Sequence, residues 1–418
     1  MREMKDSGTE WVGAIPAAWG VHRIASHFQE IKEKNTANAY SNALQFKMGK
    51  IIAKPQKWDE DETNETYSAY TVVHPNTIMI NGLNLEFDFV TQRVARVECN
   101  GIITSAYIAL SPRDDINAEY ICYLLKSYDA CRAFHSMGRG LRKILSYSEL
   151  KNKPIVVPPL AEQERIAAFL DAECAEIDAV LEKTRASIEE YKKLKQAVIT
   201  QAVTKGIRGD RPMKDSGIEW IGDIPAEWDV IRVKQLLKER NERSKEGKEE
   251  PLSMSQKVGL VPTKFLESIP NMASSFVGAK LAYVDDLVFN KLKAHLGVFS
   301  VSRYDGLVSP DYAVYCSTGK SNLKYLEYIF KTPQCIGEFR KKSTGIAAGL
   351  MRLYTEGLFS IYLPYPALTE QEEIAEYLNE KCAGIDALIA KKQQYLTEIE
   401  TYKKSLIYEY VTGKKEVV

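Results

Sequence analysis

The sequence predicts an α+β chain: two similar mixed α/β domains in a pseudo-twofold tandem repeat, separated by two long helices that form an antiparallel coiled coil. Three observations carry this. Residues 4–19 (MKDSGTEWVGAIPAAW) return as residues 213–228 (MKDSGIEWIGDIPAEW), identical at 12 of 16 positions with an offset of 209. Residues 160–183 return as residues 368–391, identical at 13 of 24 positions with an offset of 208 and no gap. Between these copied blocks the halves diverge, so like frames hold unlike inserts. The expected organisation is domain 1 over residues 1–158, a long helix over 159–208, domain 2 over 209–366 and a second long helix over 367–418.

Each half opens with the frame GxEWxGxIPxxW, whose close tryptophan and proline spacing suits an extended segment tucked against a core, with Trp11, Trp19, Trp220 and Trp228 as anchors. The inserts then show short β-rich runs bounded by turn residues: 70–80, 102–110, 282–290 and 306–316. Helical stretches at 118–133 and 323–330 interleave with them, which defines a mixed α+β domain. Weak matches inside the inserts, 78–81 with 288–290 and 101–107 with 306–312, indicate one fold in both domains.

Pro158 and Pro159, and in the second copy Pro364 and Pro366, end a strand before each long helix. Glu162 and Glu164, or Glu370 and Glu372, then sit in the first turns, where the helix dipole favours acids. From Ala167 to Ala202 the 3-4 spaced positions read Ala, Leu, Cys, Ile, Leu, Thr, Ile, Tyr, Lys, Val, Ala, and the second copy reads Ala, Leu, Cys, Ile, Ile, Lys, Leu, Ile, Lys, Leu, Tyr. Heptads sustained this long specify a coiled coil. An insert of about 140 residues between the helices leaves room for antiparallel pairing within one chain; pairing between chains is the competing arrangement. At 1.5 Å per residue a helix from about 161 to 205 spans roughly 65 Å.

The composition narrows the function classes. The chain has 418 residues, 45% hydrophobic, with 56 basic and 56 acidic side chains. No run of 18 apolar residues and no apolar N-terminal stretch is present, as expected of a soluble, cytoplasmic chain. Seven cysteines without a CxxC pair argue against a disulfide framework or zinc ribbon; Cys174 and Cys382, equivalent in the repeat, suit a helix seam. His22 and His27 lack ligand spacing, so no metal is expected. Net charge is zero, yet residues 132–153 hold six basic side chains against one acid and residues 331–352 five against one. Affinity for phosphate follows such local clusters rather than the total.

Catalytic chemistry is not evident. There is no (D/N/S)PP(Y/F/W) loop of the kind an exocyclic-amine methyltransferase carries, since Pro158 and Pro159 are followed by leucine. Gly319, Lys320 and Ser321 spell the end of a phosphate-binding loop, but Val314 occupies the place of its first glycine. Ser146 and Ser148 near His135 make no hydrolase signature, and Asp114, Asp115, Asp285 and Asp286 suit turns. No catalytic residue and no cofactor is expected on this chain.

A proline-rich strand end followed by LxEQExIAxxL, present twice after two dissimilar domains, together with the doubled GxEWxGxIPxxW frame, resembles the specificity subunits of type I restriction-modification systems over essentially the whole length. The resemblance implies two target recognition domains, each taking one half of a bipartite, asymmetric site in double-stranded DNA. It implies helices that set the unread gap and dock modification subunits, two by the count of helix frames. Those partners would carry S-adenosylmethionine and methylate adenine, and a restriction subunit that uses ATP is implied as a further partner.

For DNA contact the resemblance points, in domain 1, to the glycine-flanked Arg139, Arg142 and Lys143, with Asn81, Asn84, Arg93 and Arg96 as a second edge. In domain 2 it points to Lys341, Lys342, Ser343, Thr344 and Arg352, with Asn290, Lys291, Lys293 and His295. Arg and Lys suit guanine and phosphate, and Asn suits adenine. The alternative is a non-enzymatic coiled-coil scaffold, which would not need two basic loops at equivalent positions.

Overall fold

The computed structural model describes residues 2–47, 49–55, 67–86, 88, 92–138, 143–256, 258–266, 276–345 and 351–417. The chain forms two compact units, the first of which is discontinuous in sequence. Unit 1 holds residues 1–185 and 394–418, and unit 2 holds residues 186–393. Each long helix is therefore shared: it begins on the unit that precedes it and ends in the other.

The units have the same strand topology. In unit 1 a four-stranded antiparallel sheet runs in the order Phe28–Glu30, Ile108–Pro112, Ile78–Ile80, Val94–Arg96. In unit 2 the order is Leu237–Arg240, Tyr312–Ser317, Leu287–Asn290, Phe299–Val301. Four two-stranded ladders recur as well, including the frame hairpin, Met4–Asp6 with Ala14–Pro16 and Met213–Asp215 with Asp223–Pro225. The β-rich runs that open each insert, 70–80 and 282–290, are each two strands rather than one. Asn76 (φ 71°) turns the chain between Thr71–Val73 and Ile78–Ile80, and Asp285 (φ 67°) does so between Lys280–Ala282 and Leu287–Asn290. Short polar residues tolerate that left-handed conformation, which makes the break a turn instead of a bulge.

Helix α1 (Ala118–Ala130) covers the unit 1 sheet, α2 is the long helix Leu160–Lys205, α3 (Leu323–Phe330) and α4 (Pro333–Lys342) cover the unit 2 sheet, and α5 is the long helix Leu368–Val411. Asn117 caps α1 by accepting from Glu119 N and Tyr120 N; Asn322 caps α3 by accepting from Tyr325 N. The apolar faces of α1 and α3 supply Tyr120, Leu124 and Tyr128, and Tyr325, Ile329 and Phe330, to the two main cores.

Every heptad position named from the sequence is buried or half-buried on α2 and α5, including Cys174 and Cys382. The helices run antiparallel in each unit. In unit 1 Lys403 pairs with Asp178 and Arg185 with Glu400; in unit 2 Lys195 pairs with Asp386 and Arg208 with Glu373, so one residue number falls as the other rises. The end of each long helix also completes a core. Leu406, Ile407 and Val411 of α5 pack with Val12, Ile15 and Trp19, and Ile199, Ala202 and Val203 of α2 pack with Ile221, Ile224 and Trp228.

The first turn of each long helix does more than complement the dipole. Glu162 accepts from the indole N–H of Trp19 at 3.1 Å and pairs with Arg2; Glu370 accepts from Trp228 at 2.9 Å and pairs with Arg211. The frame tryptophan is thus a core anchor whose polar edge is satisfied by the copied helix.

Candidate nucleic-acid interface

Three segments meet in each unit: a hairpin tip, the loop after the central strand, and the stretch before a short helix; most candidates lie on the last two, while Arg96 is on the strand Val94–Arg96 and Lys341 and Lys342 end α4. In unit 1 the loop starts at Asn81, whose Oδ1 accepts from Leu83 N at 3.1 Å; in unit 2 Asn290 Oδ1 accepts from Leu292 N at 3.1 Å. Both asparagines are turn formers, with the carbonyl oxygen used locally. The loop is next tied to the third segment by a matching backbone bond, Leu145 N to Gly82 O in unit 1 and Leu353 N to Lys291 O in unit 2. The hairpin tip reaches the same place. Gly49 (φ 70°) lies against the Gln92 side chain in unit 1, and Gly259 (φ 76°) against Ser300 in unit 2, each so close that a Cβ would collide.

What the matched frames hold is different. In unit 1 Asn81 N donates to Arg93 O, and in unit 2 Asn290 N donates to Val298 O, so Arg93 and Val298 are counterparts. Arg93 is fully buried. Its guanidinium donates to the carbonyls of Leu83 and Asp88 at 2.6 Å, Asn81 at 3.2 Å and Asn84 at 3.4 Å, with the carboxylates of Asp88 and Asp129 at 3.9 and 4.0 Å. The expectation that Arg93 touches DNA is corrected: it organises the loop from inside, because its charge is neutralised within the protein and none of it is presented outward. Burial pushes the Asp129 carboxyl up from its ordinary range, against the pull of the Arg93 backbone N–H and its charge.

Other candidates are placed as follows. Asn84 (φ 53°) and Lys143 (φ 38°) are exposed, while Arg96 is half-buried and donates to Asn76 and Glu119. Arg139 and Arg142 lie outside the described residues. In unit 2, Lys293 and Lys342 are exposed, Lys291 is half-buried, and none of the three pairs with a described acid. Lys341 pairs with Glu338, a hydrogen bond that raises its pKa, and Arg352 donates to Asp311 at 3.2 Å. Ser343 caps α4 by donating to Phe339 O, and Thr344 and Arg352 exchange backbone bonds at 2.9 and 2.8 Å. His295 is buried, which holds its imidazole below the usual range, with Arg340 adding to the effect. His295 therefore shapes the loop rather than lining its outer face.

Gln256 joins this set although its residue type gave no reason to expect it. Its amide donates to Leu296 O at 3.1 Å and links the hairpin of Leu252–Ser255 and Gly259–Pro262 to the Lys291–Lys293 loop, beside exposed Val258 and Leu296. The alternation LSMSQKVGLVP was the available signal.

A family profile described as the type I restriction modification DNA specificity domain matches residues 99–190. The chain is 23% identical over 428 aligned positions to the type I restriction enzyme MjaVIII specificity subunit of Methanocaldococcus jannaschii, with 96% of this chain and 94% of the relative covered. The putative MjaX specificity subunit of the same organism is 24% identical, with 97% and 96% covered. Over nearly its whole length, then, the chain is similar to the specificity subunits of type I restriction-modification systems. Solved structures share the fold of this chain. One comes from work titled on complex assembly and conformational transition of the type I R-M system, at TM-score 0.72 and 13% identity, covering 96% of this chain and 99% of that one. The HsdS subunit of Thermoanaerobacter tengcongensis matches at TM-score 0.51 and 16% identity, covering 96% and 98%. No helix among the described residues is long and apolar enough to cross a membrane.

Proposed function

We propose that this chain is the DNA-reading, non-catalytic component of a cytoplasmic type I complex, with each domain taking one half of a bipartite, asymmetric site. The observation that carries the reading is the pairing of one scaffold with two loop chemistries: the same turn, ladder and backbone tie hold a loop built on Arg93 in unit 1 and on Val298 in unit 2. Like frames position unlike residues, and unlike residues read unlike bases. The proposed reading residues are Asn84 and Lys143 on the loops and Arg96 on the neighbouring strand in domain 1, together with Arg139 and Arg142, which lie outside the described residues, and Lys291, Lys293, Lys341, Lys342, Thr344 and Arg352 in domain 2. Asn81, Asn290, Ser343 and His295 hold the loops in shape.

The antiparallel helices fix the unread gap and dock two modification subunits, which supply S-adenosylmethionine chemistry at adenine. A restriction subunit adds ATP-driven cleavage. The test is salt-dependent binding of the complex with its modification subunits to cognate DNA. Replacing Lys291, Lys293 and Lys342 with alanine should flatten the plot of log affinity against log salt by about 0.9 for each DNA phosphate that is no longer neutralised. An unchanged slope would remove these lysines from the interface.

A further inference from the structure

Gln163 and Gln371 occupy equivalent positions at the start of the two long helices, and both are fully buried. Gln163 Oε1 accepts from Asn117 N at 2.9 Å, while its Nε2 donates to Pro158 O at 2.9 Å and Asp115 O at 3.2 Å. Gln371 Oε1 accepts from Asn322 N at 3.0 Å, while its Nε2 donates to Pro366 O at 3.0 Å and Lys320 O at 3.5 Å. One amide therefore ties three things: the long helix, the strand end that feeds it, and the N-cap of the helix lying on the domain sheet. All partners are backbone atoms, so the tie survives the change from Asp115 to Lys320. Beside each tie a phenol hydroxyl adds a second bond to the long helix, Tyr123 to Asp171 at 2.7 Å and Tyr328 to Asn379 at 2.8 Å.

We propose that Gln163 and Gln371 are positioning residues that fix the angle at which each domain leaves its long helix, so that these joints, together with helix length, select the unread gap in the DNA site. The inference rests on the DNA-reading function proposed above. A domain of this size has a radius of gyration of roughly 15 Å, so a tilt of about 13° at the joint moves its outer face by one base-pair rise of about 3.4 Å. Three hydrogen bonds on one buried amide resist that tilt. An apolar side chain of the same length would fill the space without directing it.

The experiment maps methylated adenines at sites with the wild-type gap and with gaps one base pair longer and shorter, using the full complex carrying Gln163→Met or Gln371→Met. The expected result keeps the bases of both half-sites and lowers discrimination against off-by-one gaps by roughly tenfold, the scale of one lost buried hydrogen bond or slightly more. Tyr123→Phe and Tyr328→Phe remove only a surface hydroxyl at the same joints, and a smaller relaxation in the same direction is expected even where a glutamine variant fails to fold. Methylation that falls uniformly at all sites with gap selection intact would make the glutamines merely structural and overturn the proposal. A wild-type complex with no bipartite motif would instead overturn the DNA-reading assignment, and this inference with it.

Discussion

Replacing Arg93 with valine gives domain 1 the residue that domain 2 carries at the same place. The guanidinium serves four loop carbonyls and faces two carboxylates from a fully buried position. Removing one partner of a buried ionic network costs about 3–5 kcal/mol. Valine returns part of this through its own burial, leaving about 3 kcal/mol, or roughly a hundredfold in the local opening equilibrium. Hydrogen exchange on peptides covering residues 78–97 should show that loss, while peptides covering 287–301 should not change. Asp129, whose carboxyl burial already pushes up, loses a cationic neighbour, so protonation becomes easier and the deficit should narrow as pH falls. A loss under about 1 kcal/mol, or one shared equally by both peptides, would refute the view that Arg93 builds the domain 1 loop from inside.

Deleting residues 404–418 should unfold domain 1, at the opposite end of the sequence, because Leu406, Ile407 and Val411 belong to its core; three such side chains contribute roughly 5–9 kcal/mol, and limited proteolysis of residues 4–19 reports it. Glu370→Gln breaks the buried pair with Arg211 and should cost unit 2 about 3 kcal/mol in urea titration, with unit 1 unaffected. His295 has a lowered pKa, so below its ordinary value of about 6.5 the unfolded chain takes up a proton that the folded one resists; unit 2 stability should fall as pH drops through that region, and His295→Gln should flatten the dependence. Burial alone would raise Glu327, but Lys331 and Lys324 outweigh it and hold the carboxyl below its ordinary range, so its contribution is present at neutral pH and lost on acidification below about pH 4; Glu327→Gln should remove that acid limb in a pH series of melting curves.

Much of the architecture was legible because the chain writes it twice. The heptads from Ala167 and Ala375 need only local periodicity, and every position is buried or half-buried. Helices α1 and α3 were legible for the same reason, although α1 stops at Ala130, three residues short of the end of the stretch 118–133 expected from its sequence. What escaped depends on partners far away in sequence. The acids of the helix starts were assigned to the dipole, while Glu162 and Glu370 find partners more than 140 residues back, Trp19 with Arg2 and Trp228 with Arg211. Arg93 looks like a surface cation because it sits among polar residues, and only the folded loop shows the carbonyls that surround it. Asn81 and Asn290 carry the residue type that suits adenine, yet the same carbonyl chemistry makes them turn formers.

The central claim is that one scaffold reads two unlike half-sites. It is tested most directly by mapping N6-methyladenine across the genome in cells expressing this chain with its modification subunit, beside cells lacking only this chain. The account predicts one bipartite, asymmetric motif with a fixed gap that vanishes when the chain is absent. A motif that persists without the chain, or no motif despite a stable complex with the modification subunit, would contradict it.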